Sequence, residues 1–171
     1  MSYQISAFGI GVYLSASKTY PVGLFIDAFA DDEDAVAFTR NEVGGSQMDL
    51  NGKLLAWSSA NPIELTIGVI PHSAADKTLA VLLAANRPAN FTTEANDRIT
   101  LIVNYPDRTI RTFTGGCVIG GQSGASARSA GRLASNTYTF HFADMTTIDV
   151  ATAVNSLFRD FGLDDTLGGI V

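Results

Sequence analysis

The chain has 171 residues, of which 46% are hydrophobic and 16% charged, and carries a formal net charge of −6. That length suits one domain with room for an appended element. An acidic chain without a lysine- or arginine-rich stretch lacks the phosphate-neutralising footprint of a nucleic-acid binder, and the low charge fraction implies that a partner covers part of the surface.

Residues 1 to 20 read as an extended first strand or arm, interrupted by Gly9, Gly11, Ser15, Ala16 and Ser17. No positive region precedes the first apolar stretch, so no signal peptide is expected. No window of about 18 apolar residues spans a membrane. Strand signals follow from Val22 to Phe29 and from Ala35 to Val43, where Val36, Phe38, Arg40 and Glu42 share a face by the two-residue period. Ser46 to Leu50 and Lys53 to Ser58 flank Asn51-Gly52, a hairpin signal because both residues tolerate positive φ. From Ile63 to Ile70, Ile63, Leu65, Ile67 and Val69 face one way and Glu64, Thr66 and Gly68 the other, as in a half-buried strand.

The period then changes. Ser73 to Ala85 reads as a helix with Ser73 as N-cap, Asp76 as an acidic capping-box partner and Leu79, Leu82 and Leu83 as its buried stripe. Asn86 and Pro88 end it. Strands resume at Arg98 to Tyr105, with Ile99, Leu101, Val103 and Tyr105 on one face, and continue through Arg108 to Phe113 and Cys117 to Ile119. Gly44-Gly45 and Gly115-Gly116 read as turns. Residues 120–136 form a long loop of small residues with two arginines, Arg128 and Arg132; loops of that length are usually functional or disordered. Thr137 to Ala143 is a last strand with Tyr138, Phe140 and Phe142 on one face. Asp149 caps a C-terminal helix through Phe161, followed by a tail to Val171. About eight short strands and a mid-chain helix predict a mainly β fold: a small antiparallel β-barrel or sandwich with a flanking helix and a C-terminal helix.

Catalytic, cofactor and metal sites find no support. Cys117, in the apolar run Cys117-Val118-Ile119, reads as a small buried hydrophobe, since no basic neighbour lowers its pKa. His72 at a helix start and His141 in a strand read as capping or packing residues, and with one cysteine they make no zinc set. Asp31-Asp32-Glu33-Asp34 lacks the ligand spacing of a calcium loop. Gly120-Gly121-Gln122-Ser123-Gly124 has no lysine in P-loop spacing. Trp57 is either core or an interface anchor.

One organisation spans most of the chain. The strand Leu24-Phe25-Ile26 runs into the acidic turn Phe29-Ala30-Asp31-Asp32-Glu33-Asp34, and a strand ends Phe38-Thr39-Arg40-Asn41-Glu42. Then come Asn51-Gly52-Lys53, the strand Ile63-Glu64-Leu65-Thr66-Ile67, the helix start Pro71-His72-Ser73, and the aromatic strand Tyr138-Thr139-Phe140-His141-Phe142-Ala143-Asp144-Met145. This order resembles the tail tube proteins of contractile-tailed bacteriophages. The resemblance implies a non-enzymatic virion protein, assembled in the host cytoplasm, whose subunits join edge to edge into six-fold rings. Such rings stack into a tube through which DNA passes without specific binding. The implied partners are other copies of the chain, the tail sheath, baseplate and tail-terminator proteins, and a tape measure protein in the lumen. A tube of a phage-derived bacteriocin or secretion system shares this physics, and a monomeric ligand-binding barrel is a competing class.

On that resemblance Asn51, Gly52, Trp57, Arg128 and Arg132 are candidate inter-subunit contacts. Gln47, Asp49, Glu64 and Thr66 are candidate lumen-facing residues, and Val150, Val154, Asn155 and Arg159 candidate sheath-facing ones. The chain departs from the family pattern in its longer N-terminal segment, its 120–136 loop and its C-terminal helix and tail.

Overall fold

A computed structural model describes residues 8–89, 93–129, 131–150, 152, 153 and 156. Ten strands and one helix follow in chain order: β1 Gly11–Ala16, β2 Tyr20–Ile26, β3 Val36–Phe38, β4 Gly44–Met48, β5 Leu54–Ser58, β6 Ile63–Val69, α1 Ala74–Asn86, β7 Ile99–Asn104, β8 Thr109–Gly121, β9 Asn136–Phe142 and β10 Asp144–Asp149. The fold is mainly β. Of the two expected forms it takes the sandwich, because the antiparallel sheets are open rather than closed into a barrel.

β8 belongs to both layers. Its first half pairs with β7 on one side and with β10 on the other, from Thr109↔Asp149 to Thr114↔Asp144. Its second half pairs with β9, from Cys117↔His141 to Gly121↔Tyr138. One layer therefore runs β2-β1-β7-β8-β10 and the other β8-β9-β6-β3. The bend falls at Gly115-Gly116, expected from sequence to be a turn. Gly115 has φ +65, and a Cβ on Gly116 would lie 2.4 Å from the Phe142 ring, so glycine is what lets the strand pass from one layer to the other.

Alternation along the strands supplies the core. Val12 and Leu14 of β1, Leu101 and Val103 of β7, Phe113 of β8, Leu65 and Ile67 of β6, and Tyr138, Phe140 and Phe142 of β9 are buried between the layers. These are the faces that the two-residue period predicts for β6, β7 and β9. Phe113 packs against Phe38 and Phe142 at centroid distances of 5.6 and 5.4 Å.

Helix α1 covers the sandwich with Ala75, Leu79 and Leu82. Ser73 caps it as expected, its Oγ accepting from the Asp76 amide at 3.1 Å. Asp76, however, reaches one residue further back than a capping box requires and accepts from the His72 amide at 2.9 Å, with His72 at φ 64. The other Asp76 oxygen accepts from Asn136 Nδ2 and from the Tyr138 hydroxyl, both at 2.8 Å. At the far end of α1, Asn86 Nδ2 donates to Asp97 at 2.9 Å and Asn86 Oδ1 accepts from the Asp97 amide at 2.7 Å. Asp97 also accepts from the amides of Lys18 and Thr19 in the β1–β2 turn. The two aspartates are buried, 7% and 5% exposed, and hold the helix at both ends. Burial pushes each carboxyl up, but these hydrogen bonds outweigh it and leave both below the usual carboxylate range.

Several sequence readings are corrected. The strand expected over Ala35 to Val43 keeps order in the sheet only at β3, because the chain then leaves the layer. β8 is one strand, where two were expected. Gly44 and Gly45 are strand residues of β4, not a turn. Past Ala143, where the last strand was expected to end, residues 144–149 form β10, which the β-branched run Thr146-Thr147-Ile148 favours. Cys117 is exposed, not buried, because the bend in β8 turns it outward. The Asp149 cap is present, with Thr152 Oγ1 donating to its carboxylate at 3.0 Å and helical residues following; most of the expected C-terminal helix and tail lies outside the described residues.

Asp76→Ala strands two buried donors, Asn136 Nδ2 and the Tyr138 hydroxyl, and frees the part-buried His72 amide; it is expected to lower stability by about 3 kcal/mol in urea unfolding. Because Asp76 and Asp97 sit below their ordinary pKa of about 3.9 when folded, their contribution is intact above that pH. It is lost as pH falls through the lowered folded values, and acid unfolding followed by circular dichroism should begin there.

Candidate assembly surface

The chain from Val36 to Val69 is one long ribbon. β3 pairs with β6 from Val36↔Ile67 to Phe38↔Leu65, and β4 pairs with β5 from Gly44↔Ser58 to Met48↔Leu54 in nearly the same register. Between them the strands stay linked, with the Thr39 amide on Glu64 O at 3.3 Å and the Ser59 amide on Val43 O at 2.9 Å. The β3–β6 half lies in the sandwich, and the β4–β5 half forms a separate two-stranded sheet.

That distal half is apolar and bare. Every residue of β5 is exposed. Val43, Met48, Leu54, Leu55 and Trp57 are 76%, 58%, 65%, 54% and 53% exposed, and Leu50 at the tip is fully so. Cross-strand pairing puts Trp57 and Leu55 on one face with Gly45 and Gln47, and Met48 and Leu54 on the other. Trp57 is therefore not core; its ring lies against Gly45, where a Cβ would sit 2.5 Å from it. Two-stranded ribbons are marginal in water unless something covers them, and this one exposes large side chains on both faces.

The turn differs from the expected two-residue form. The Gly52 amide bonds Asp49 O at 3.1 Å, the Asp49 amide bonds Lys53 O at 2.8 Å, and Gly52 alone takes positive φ, at 76. This is a type I turn closed by a glycine bulge, and Asp49 Oδ1 tightens it by accepting from the Asn51 and Lys53 amides, each at 2.8 Å. Asn51 and Gly52 thus form the tip. Gln47 stands on β4 and Asp49 in the turn, while Glu64 and Thr66 stand on the outer face of β6, so the four candidate lumen residues divide between the ribbon's two halves. Glu64 there contacts His141 Nε2 at 3.3 Å and accepts from Thr39 Oγ1 at 3.0 Å; the Thr66 and Thr139 hydroxyls are 3.2 Å apart.

The long loop is built, not bare. The Arg128 amide bonds Arg132 O at 3.0 Å, the Ala134 amide bonds Ser126 O at 2.7 Å, and Ala127 bridges Leu133. Arg128 pairs with Asp32 at 2.9 Å, Arg132 with Asp31, and the Ser135 hydroxyl donates to Asp32. Both candidate arginines are thus engaged by the acidic turn of their own chain. The hydrogen bond from Arg132 holds Asp31 below the usual carboxylate range and raises Arg132; Asp32 is lowered first by Ser135. Of the candidate sheath-facing residues, Val150 is half-buried just after β10, and Val154, Asn155 and Arg159 lie outside the described residues.

Sequence reasoning named Trp57 and the tip as candidates and did not name the exposed leucines beside them. The signal is Leu54-Leu55-Ala56-Trp57: an apolar run without alternation next to a turn, in a strand with no second layer to cover it. Among the described residues no three metal-ligating side chains gather, and no helix is long and apolar enough to cross a membrane.

The family described as tail fiber protein gp32 matches residues 3–146. No curated protein sequence matches the chain. Its fold is similar to that of a chain in the anti-feeding prophage baseplate, with TM-score 0.56 and 16% identity over 88% of this chain and 99% of that one. It is also similar to a chain of the anti-feeding prophage tube-terminating cap, with TM-score 0.50 and 10% identity over 87% and 93%. A chain of the sheath–tube complex of an extracellular contractile injection system gives TM-score 0.50 and 10% identity over 87% and 94%.

The loop contacts are exposed ion pairs, so salt should weaken them. Hydrogen exchange of the amides at 126–134 is expected to speed up in 1 M NaCl and in Asp31→Asn/Asp32→Asn, with the core strands unchanged. The depressed aspartates also predict docking that persists above about pH 4 and fails as pH drops further.

Proposed function

The chain belongs to the tail fiber protein gp32 family, and from that premise we propose that it is a structural subunit of a phage-tail-like contractile machine. It assembles with copies of itself into six-fold rings that stack as an inner tail tube and conduct DNA. The observation that carries this reading is the β4–β5 ribbon, which projects an apolar tryptophan, methionine and leucine surface on both faces with nothing among the described residues to cover it. Interface energy concentrates in such large buried side chains, and a second copy of the chain is the partner that every subunit of a ring has at hand. The role is assembly, not catalysis: the polar clusters at Asp76 and Asp97 are committed to holding α1.

The remaining parts of this reading are the partners. Sheath, baseplate and terminator proteins contact the outside and ends of the tube, a tape measure protein fills the lumen before ejection, and the particle carries the protein in its tail. The fold's likeness to cap and baseplate chains as well as to a sheath–tube complex supports a second position in the same machine, a terminal ring at one end of the tube.

Negative-stain microscopy with light-scattering mass tests both. Rings or stacked hollow tubes are expected from the wild-type chain; single unstacked rings favour the terminal position. Leu55→Asp/Trp57→Asp should stay folded and weaken association on the order of 30-fold or more. A wild-type chain that remains monomeric and also fails to enter tails assembled with its partners overturns the proposal.

A further inference from the structure

Open sheet edges invite strand pairing, and proteins protect those that must stay free. β2 is protected by Pro21 and by Gly23, whose positive φ of 83 breaks its register with β1. β10 carries Asp144 and Asp149 at its ends, and β3 is three residues long. The second half of β8 is different. Among the described residues Cys117 to Gly121 pairs with β9 on one side only, because β7 starts at Ile99 opposite Gly116 and goes no further along β8. This edge holds no charge and no proline, and Ile119 on it is 52% exposed.

Alongside runs α1. Helix and edge enclose a groove of about 350 Å³, with Ala80, Leu83 and Ala84 on the helix side, Gly120 to Ser123 on the strand side and Arg87 at one end. A Cβ on Gly120 would meet nothing within 4 Å, so packing within the chain does not require glycine there. A glycine at an open strand edge leaves room for another backbone. An unpaired edge beside a helix is the arrangement that captures an extended segment by strand addition.

We propose that this groove receives the β4–β5 ribbon of a second copy, with β4 added to the β8 edge. The proposal rests on the assembly reading above and names its acceptor. β4 spans five residues, as the open edge does. It too has free backbone and no charge or proline between Val43 and Met48. Asp49 follows it directly, with Oδ1 engaged in the turn and Oδ2 left for a cation. Arg87, which pairs with no carboxylate among the described residues, lines the same groove and is the cation it offers to that carboxylate.

Five residues laid on five put Ser46 beside Ile119 in either strand direction, so the reporter pair is placed there, in a Cys117→Ser background that removes the chain's one cysteine. Ser46→Cys/Ile119→Cys in that background, oxidised with copper phenanthroline at assembling concentration, is expected to give an intermolecular disulfide ladder on non-reducing gels. The ladder should vanish when either introduced cysteine is left out. Gly120→Lys should melt like wild type and yet lose assembly by light scattering, as Leu55→Asp does. A ladder that survives without Ile119→Cys, or assembly unchanged in Gly120→Lys while Leu55→Asp abolishes it, overturns the groove and leaves the ribbon's role standing. Assembly unchanged in both variants overturns both.

Discussion

The structure depends on one strand serving two sheets. β8 pairs with β7 and β10 before Gly116 and with β9 after it, so the two layers are joined through continuous backbone rather than by side-chain packing alone. The bend requires a left-handed residue at Gly115 and a position without Cβ at Gly116, where Phe142 crosses it. Phe113, just before the bend, reaches across to the other layer, where it stacks on Phe38 and lies against Phe142. Once this corner is made, the inner faces of β1, β7, β6 and β9 have only one place to bury.

The helix is held by charge rather than by apolar area. Ala75, Leu79 and Leu82 are buried in the core and Leu83 packs against it, a modest contribution for thirteen residues, and the two buried aspartates set where it lies. Asp76 ties its first turn to β9 through Asn136 and Tyr138; Asp97 ties its last turn to the β1–β2 connection. Each carboxylate is supplied with several donors, which makes a buried charge tolerable. A helix positioned in this way stands off the open edge of β8 and leaves a groove where a closer fit would have sealed it.

Polar and apolar surfaces are used in opposite ways outside the core. The arginine loop, rich in small residues and so poor in apolar area, is folded back by Arg128 and Arg132 onto Asp32 and Asp31. The β4–β5 ribbon has the large apolar side chains but nothing to lay them on. Any association through the exposed tryptophan and leucines draws on the hydrophobic effect, which tolerates the salt changes that weaken surface ion pairs.

Alternation in Ile63–Val69, Ile99–Asn104 and Asn136–Phe142 was legible in the sequence, as were the Ser73 cap and the stripe Leu79/Leu82, because these are periodic, local signals that a single buried face imposes. Those patterns determined a mainly β, antiparallel fold. What the sequence could not carry was the non-local geometry. Gly115-Gly116 reads as a turn until Phe142 is seen crossing it, and Cys117 reads as core until the bend turns it outward. Arg128 and Arg132 read as reaching for a neighbour until Asp31 and Asp32, about a hundred residues earlier in the chain, are placed beneath them. Leu54, Leu55 and Trp57 have the composition of a core strand, and only the tertiary structure decides that no second layer among the described residues lies over them, because burial depends on which distant segment comes to rest on a face.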